Sequence, residues 1–456
     1  MYPEIKQTIF REYDVRGVYP VDINGNIAYI FGRAFGTYIK RFNQSKCTVG
    51  RDNRYSSDEL ADNLIKGILS TGIDVINLGL VTTPMYYYAC ILNNTNAGVM
   101  VTASHNPKDD NGFKFAFDDR GNARGEMIRE FYEFLQQGNF DSGNGMESSY
   151  DVREEYIKLL LSSIDLNPIR KLRVVIDCGN GTTSIIAPEI YNLLGMDLAV
   201  LYGDSDPSFP NHHPDPCVEE NLKVLKDTVV ELKADIGIAF DGDGDRVGIV
   251  DENGTYIPCD KYMIAVIRSL LPVSENKRVL YDVKCSKALP EEIERLGGTP
   301  IISRTGNSYT KAATKDNDCI FGGEFSGHVF FRDKFPGFDS GLYAGLRIIE
   351  ILCQTTKSMS KLLEGIPKYY STPEIKIPSA DTKKLEVINK IKNYCIEKGY
   401  KVIDIDGVRV EKEDGWALVR ASNTGPNITA RFEGKSESIM EELKNEFMVL
   451  IDEYNK

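Results

Sequence analysis

Residues 241–246 read Asp-Gly-Asp-Gly-Asp-Arg, so three carboxylates, Asp241, Asp243 and Asp245, alternate with two glycines. The glycines let the backbone fold sharply and turn all three acids toward one point. Three negative charges packed together are costly unless a cation sits among them. Oxygen-only donors suit a hard divalent ion such as Mg2+. Apolar stretches at 234–240 and 247–250 flank the run. They place it on a tight loop between two buried strands, where α/β proteins carry their chemistry. Two other readings compete. An EF-hand also starts with alternating acids, and Glu252 falls at its twelfth position, but Arg246 stands where that loop needs glycine. A solvated turn rich in Asp and Gly is the other.

Further loops offer reactive groups. Thr102-Ala-Ser-His-Asn-Pro follows a small apolar strand and presents Ser104 beside His105, with proline stiffening the exit. That is a nucleophile loop or a polar turn. A hydrolase triad competes with it, but no Gly-x-Ser-x-Gly elbow is present and adjacent residues do not relay a proton as a triad does. Lys114 lies close enough in sequence to share this site, or is a solvated lysine. Gly323-Glu-Phe-Ser-Gly-His presents Glu324 and Ser326 two residues apart, on one face if the segment is extended. Such a pair suits the hydroxyls of a sugar. Arg420, Ser422, Asn423 and Thr424, followed by Gly-Pro, offer a cation, two hydroxyls, an amide and a turn of backbone N–H groups, a cradle for phosphate. Gly434-Lys-Ser is no P-loop, because position 429 is Thr, and Gly242, Gly244 and Gly248 have the wrong last interval for a dinucleotide fingerprint. Of the four histidines, His105 and His328 lie in candidate site loops. His212 and His213 look like a metal pair but lack further ligands, which favours a structural loop.

The elements that position these loops repeat. Three times a helical segment ends in glycine before a strand, at Gly72, Gly195 and Gly297, as a helix C-cap requires. Each unit begins with a strand ending in polar residues and closes with a strand that runs into one of the loops at 102–107, 241–246 and 323–328. Strands alternating with helices predict three similar α/β domains with mixed, mostly parallel sheets, plus a smaller C-terminal α+β domain. The expected boundaries are 1–148, 149–252, 253–367 and 368–456. The 456 residues carry a net charge of −13, which argues against a nucleic-acid partner. No eighteen-residue apolar run and no apolar leader are present, so neither a membrane span nor export is expected. Nine scattered cysteines with no Cys-x-x-Cys spacing fit reduced thiols in a cytoplasmic protein.

Taken together, these loops resemble the α-D-phosphohexomutase family, and the match runs in order along nearly the whole chain. It is carried by Phe10-Arg-Glu-Tyr-Asp-Val-Arg-Gly, Thr102-Ala-Ser-His-Asn-Pro, Asp241-Gly-Asp-Gly-Asp-Arg, Gly323-Glu-Phe-Ser-Gly-His and Arg420-Ala-Ser-Asn-Thr. The resemblance implies four domains around a central cleft, with one loop from each. It implies that Ser104 is a phosphoserine and that Asp241, Asp243 and Asp245 hold Mg2+ against its phosphate. Arg16 and Arg246 would stabilise the transferring group, and His105 and Lys114 would move a proton or stabilise charge. Glu324 and Ser326 would bind sugar hydroxyls, and Arg420, Ser422, Asn423 and Thr424 the phosphate that is not reacting. The implied reaction interconverts hexose 1- and 6-phosphates through a hexose 1,6-bisphosphate such as glucose 1,6-bisphosphate, with small sugar phosphates as partners; the oligomeric state is not implied. Phe209-Pro-Asn-His-His-Pro-Asp-Pro and Asp406-Gly-Val-Arg-Val look like the bacterial phosphomannomutase/phosphoglucomutase branch. That branch commonly has a histidine where Asn307 stands here; Lys284 matches another phosphate-side position. Phosphoglucosamine mutase, a sugar-phosphate-binding protein without turnover and a metal-dependent phosphatase are the alternatives.

Overall fold

The computed structural model of the chain describes residues 5–166, 169–422 and 425–456. One β-α-β-α-β arrangement occurs three times. It runs through strands Lys46–Arg51, Asp74–Leu80 and Gly98–Val101; then Arg173–Asp177, Asp197–Leu201 and Ile236–Phe240; then Arg278–Asp282, Thr299–Ser303 and Phe321–Gly323. In each, the first strand lies in the middle and pairs in parallel with the other two. Val49 is opposite Asn77 and Val99, Ile176 opposite Val200 and Ile238, and Leu280 opposite Ile301 and Gly322. The helices before the second strands, Ser57–Leu69, Ala187–Leu193 and Ala288–Arg295, are followed by Gly72, Gly195 and Gly297. These have φ of 86°, 70° and 74°, the left-handed conformation that lets a helix stop and its chain turn back into a strand. The reactive loops therefore leave the C-terminal ends of parallel strands, where open α/β sheets bind ligands.

The chain divides into two compact units, residues 1–262 with 326–362, and residues 263–325 with 363–456. In the first, antiparallel strands extend two of the three arrangements. Asp110–Ala116 and Val15–Val18 enlarge one sheet to six strands, completed at its far edge by Glu147–Ser149, and Val247–Asp251 and Tyr256–Ile257 enlarge the other to five. Helix Gly25–Ile39, capped by the Asn24 side chain accepting from Ile27 N at 3.1 Å, buries Phe31 and Phe35 against Phe113, Phe115 and Phe117. That aromatic core fixes the strand that carries Lys114.

In the second unit the C-terminal sheet is antiparallel throughout, with helices Asp381–Glu397 and Glu437–Tyr454 closing its core around Phe432 and Phe447. It joins the third arrangement through a small cluster of Val283, Trp416 and Leu418. The Arg409 guanidinium stacks 4.1 Å from the Trp416 ring and donates to Val283 O at 2.6 Å and Cys285 O at 2.9 Å. A desolvated cation–π contact of this kind contributes about 2 kcal/mol. Phe325 and Ser326 form a turn, not an extended segment, and Gly327 has φ of 93°. Glu324 and Ser326 thus do not share a face by strand alternation, which corrects that expectation. Seven of the nine cysteines are buried, and Cys90 and Cys217 are half-buried. No described helix is long and apolar enough to cross a membrane.

Candidate functional site

In the first unit the loop at 241–246 lies against the loop at 102–107. Gly244, at φ of 80°, makes the turn, and a Cβ on Gly242 would sit 2.6 Å from Ser104 O, so only glycine permits this approach. The three aspartates are fully buried, and their oxygens converge within 4.8 Å of one another. Asp241 Oδ1 accepts from the N–H groups of Gly244 and Arg246 at 3.0 and 3.1 Å. Ser104, itself at φ of 52°, donates from Oγ to Asp241 Oδ2 at 2.8 Å, and His105 Nδ1 lies 3.2 Å from the same Oγ. Lys114 reaches in from strand Asp110–Ala116 to Asp243 Oδ2 at 2.8 Å and Asp245 Oδ2 at 2.7 Å. Thr83 opens helix Thr83–Leu92 and donates to Asp243 Oδ2 from its hydroxyl at 2.7 Å and to Asp243 O from its N–H at 2.8 Å.

The charges are unbalanced. Burial, and then Asp245 and Asp243, push the carboxyl of Asp241 well above its usual range. Burial acts the same way on Asp243, but Lys114 outweighs it and holds that carboxyl below its usual range. Burial opposes the charge of Lys114, yet Asp243 and Asp245 hold its ammonium firmly charged. Oδ1 of Asp243 and Oδ1 of Asp245 are buried with no hydrogen-bond partner among the described residues, and His328 Nδ1 makes a long contact, 3.4 Å, to the latter. Two carboxylate oxygens without a hydrogen bond, and a third carboxyl held up by its neighbours, are what a small divalent cation would satisfy, so the residues fit a hard metal ion.

The cationic side is equally ordered. Arg16 pairs with Asp14 at 2.6 Å and donates to Ala103 O at 3.1 Å and Asn106 Oδ1 at 2.5 Å. Burial opposes its charge and Asp14 restores it, with a net upward shift. Arg246 donates from Nε to His328 Nε2 at 2.9 Å, and His328 Nδ1 lies 2.9 Å from Asp339 Oδ2. Because Nε2 accepts, Nδ1 carries the proton and points it at Asp339, which removes His328 as a metal ligand in this arrangement. Burial, then Arg246 and Arg16, lower the pKa of His105 well below the usual imidazole value, so its ring is neutral near pH 7.

Sequence reasoning missed several participants. Arg54 is fully buried and donates to Ser104 O, Asn106 O, Pro107 O and Asp110 O at 2.6–2.9 Å, so one guanidinium braces the serine loop. Its only sequence signal is an arginine shortly after a strand end. Thr83 left no signal, Asp339 stood out only as the end of Gly337-Phe-Asp, and His328 stood out as a histidine in a candidate site loop but with no role of its own.

The second unit gathers its own polar set. Glu324 is buried, and its Oε1 accepts from Gly306 N at 2.9 Å and from the Thr310 hydroxyl. Asn307 opens helix Asn307–Asp316, with Oδ1 turned to Ser308 N at 2.8 Å. Arg420 pairs with Asp406 at 3.0 Å, and Asp406 also accepts from Thr305 N at 3.0 Å. Lys284 is buried; burial lowers its pKa, but Glu374 and then Asp282 raise it further, and Arg420 is close enough to oppose them. Ser422 is half-buried, and its N–H donates to Asn427 O at 2.9 Å. Asn423 and Thr424 lie outside the described residues. Ser326, in the first unit, accepts at its carbonyl from Cys217 Sγ at 3.0 Å.

The chain matches four successive family models. They are described as phosphoglucomutase/phosphomannomutase alpha/beta/alpha domains I, II and III, at residues 7–142, 154–254 and 258–370, and the C-terminal domain, at 374–449. It is 40% identical to a phosphomannomutase/phosphoglucomutase of Pseudomonas syringae pv. tomato, over 98% of this chain and 95% of that protein. It is 36% identical to a phosphoglucomutase of Neisseria meningitidis serogroup A, over 98% of this chain and 97% of that one. The crystal structure of a phosphoglucomutase/phosphomannomutase family protein from Burkholderia thailandensis superposes with a TM-score of 0.91 at 36% identity, covering 99% of this chain and 98% of that one.

Proposed function

We infer the chemistry from family and geometry together: the chain belongs to the phosphoglucomutase/phosphomannomutase family, and it interconverts hexose 1-phosphates and hexose 6-phosphates. The reaction is an intramolecular phosphoryl transfer of the isomerase class, with mannose and glucose phosphates as substrates. We propose that four segments, 1–148, 149–252, 253–367 and 368–456, each contribute one loop to it.

The observation that carries the assignment is Ser104 Oγ at 2.8 Å from a carboxylate of the three-aspartate cluster, on a residue held at positive φ. In the proposed cycle phospho-Ser104 donates. A free hydroxyl of the hexose monophosphate attacks phosphorus, the P–Oγ bond breaks, and the hydroxyl proton passes to a base. The resulting 1,6-bisphosphate turns around and returns its other phosphoryl group to Ser104. Phosphoryl transfer needs positioning and charge neutralisation more than covalent chemistry, and this cluster provides both. His105, neutral and 3.2 Å from Oγ, suits proton transfer. Lys114 is bound to two aspartates and suits charge stabilisation. Arg16 and Arg246 suit the transferring oxygens. Asp241, Asp243, Asp245 and an oxygen of phospho-Ser104 would hold Mg2+, which supplies charge neutralisation when bound. Glu324 and Ser326 read sugar hydroxyls. Lys284, Asn307, Arg420, Ser422, Asn423 and Thr424 hold the phosphate that is not reacting. A cytoplasmic location accords with the nine scattered cysteines.

The test is Ser104→Ala. A coupled mutase assay with mannose, glucose and glucosamine 1-phosphates should show turnover of the first two falling by about 10³-fold or more. Intact-protein mass spectra should lose the phosphate. Phosphate found reproducibly on another residue would overturn the role of Ser104, and turnover of glucosamine phosphate alone would favour phosphoglucosamine mutase.

A further inference from the structure

Every cation proposed above for the non-reacting phosphate already has a carboxylate beside it, but the carboxylates differ in kind. Asp406, beside Arg420, is buried and also accepts from Thr305 N, so it belongs to the framework. Glu374, beside Lys284, is not framed in this way. It opens strand Ile375–Pro378 from the preceding position, and its side chain is 29% exposed. Among the described residues Lys284 is its one ion-pair partner, with Nζ at 3.7 Å from Oε2, too long for a good hydrogen bond. Lys284, in contrast, is buried, and Arg431 beside it is buried too, donating to Lys284 O and stacking 3.6 Å over the Phe325 ring. Three buried cations, Lys284, Arg420 and Arg431, with the exposed Lys376, thus act electrostatically on one half-exposed carboxylate, and Lys284 is the one in contact with it.

We propose that Glu374 is the internal counter-ion of the phosphate subsite, a carboxylate that sits in the field of Lys284, Arg420 and Arg431 until a substrate phosphate displaces it. The proposal rests on the reading of Lys284 and Arg420 as phosphate ligands. Buried cations without an anion would repel one another and pay for desolvation. A permanently buried partner such as Asp406 solves this but cannot yield its place. A partly exposed glutamate, loosely paired, neutralises the empty site and swings into water when a dianion enters. Its own titration agrees: burial would raise the carboxyl, yet Lys284, then Arg420 and Arg431, hold it below its usual range. Because a bisphosphate intermediate must leave and re-enter contact with this subsite while it turns around, an anion that competes for the same cations weakens phosphate binding to the benefit of turnover.

Calorimetric titration of inorganic phosphate into the full chain reads the subsite without turnover. Glu374→Gln, nearly isosteric and uncharged, is expected to tighten phosphate binding about 3- to 5-fold, the scale of a partly exposed ion pair. KM for hexose 1-phosphate should fall in parallel. In the Lys284→Met/Glu374→Gln double variant the gain relative to Lys284→Met should shrink. Phosphate binding that is unchanged, weaker or undetectable in Glu374→Gln would overturn the proposal. Tighter phosphate binding in a chain that never turns over hexose phosphates would uphold Glu374 and sink the mutase reading; normal turnover with unchanged phosphate affinity would do the reverse.

Discussion

Asp243 and Asp245 each spend one carboxylate oxygen on Lys114 and leave the other buried without a hydrogen bond, while Asp241 is pushed toward its protonated form by burial and by its two neighbours. A cation that binds only the folded chain stabilises it in proportion to its concentration over its dissociation constant. Mg2+ should therefore raise the calorimetric melting temperature, chelation should abolish mutase turnover, and Mg2+ should restore it. Asp243→Asn should lose the Mg2+-dependent stabilisation; full turnover of that variant in metal-free buffer would rule the site out. The triad was legible because alternation of acid and glycine is a local signal, written in six consecutive residues. Arg54 was not, because its partners are backbone carbonyls of a loop some fifty residues away, which carry no residue type to read. The same holds for Thr83, whose partner Asp243 is set by the tertiary approach of a distant loop.

Most of the elements were readable for the same reason, since helix caps and strand ends are local. Gly72, Gly195 and Gly297 mark the same turn in each of the three arrangements, and the loops follow the strands where they were expected. The turn at Phe325 and Ser326 was missed because nothing in Glu-Phe-Ser-Gly specifies it over an extended path until Gly327 is known to adopt positive φ. Of the histidine pair, His212 ties its loop to the end of strand Arg173–Asp177, with Nε2 3.1 Å from Asp177 Oδ2 and Nδ1 2.8 Å from His213 O. Burial lowers the pKa of His212, but the bond to Asp177 outweighs it and the net shift is upward. A group whose pKa rises on folding contributes fully below its unfolded value, about 6.5, and loses that contribution as pH climbs through the higher folded value. Stability should therefore decline from about pH 6.5 upward through this pair, and Asp177→Asn should flatten that part of the melting-temperature profile between pH 5.5 and 8.5. An unchanged slope in the variant would assign the decline to other groups.

At the scale of the molecule, fold class, family and reaction were accessible from five ordered motifs, whereas the division into two compact units was not, because it depends on long-range packing. A net charge of −13 did not disclose the grouping of Lys284, Arg420 and Arg431 around Glu374 either, since these residues lie far apart in the chain. The chain has a single tryptophan, Trp416, buried beside Arg409 at 4.1 Å and Arg431 at 5.6 Å. Its ultraviolet emission is thus an optical label placed by nature in one unit and absent from the other. Guanidinium denaturation followed by that emission should report the unit holding Lys284 and Arg420 and be blind to the unit holding Ser104, while circular dichroism sees both. Where the two curves separate, the units unfold independently and the gap between their midpoints measures the difference in their stabilities; where they coincide, the chain unfolds as one cooperative body, and the colour of a single indole is enough to follow all of it.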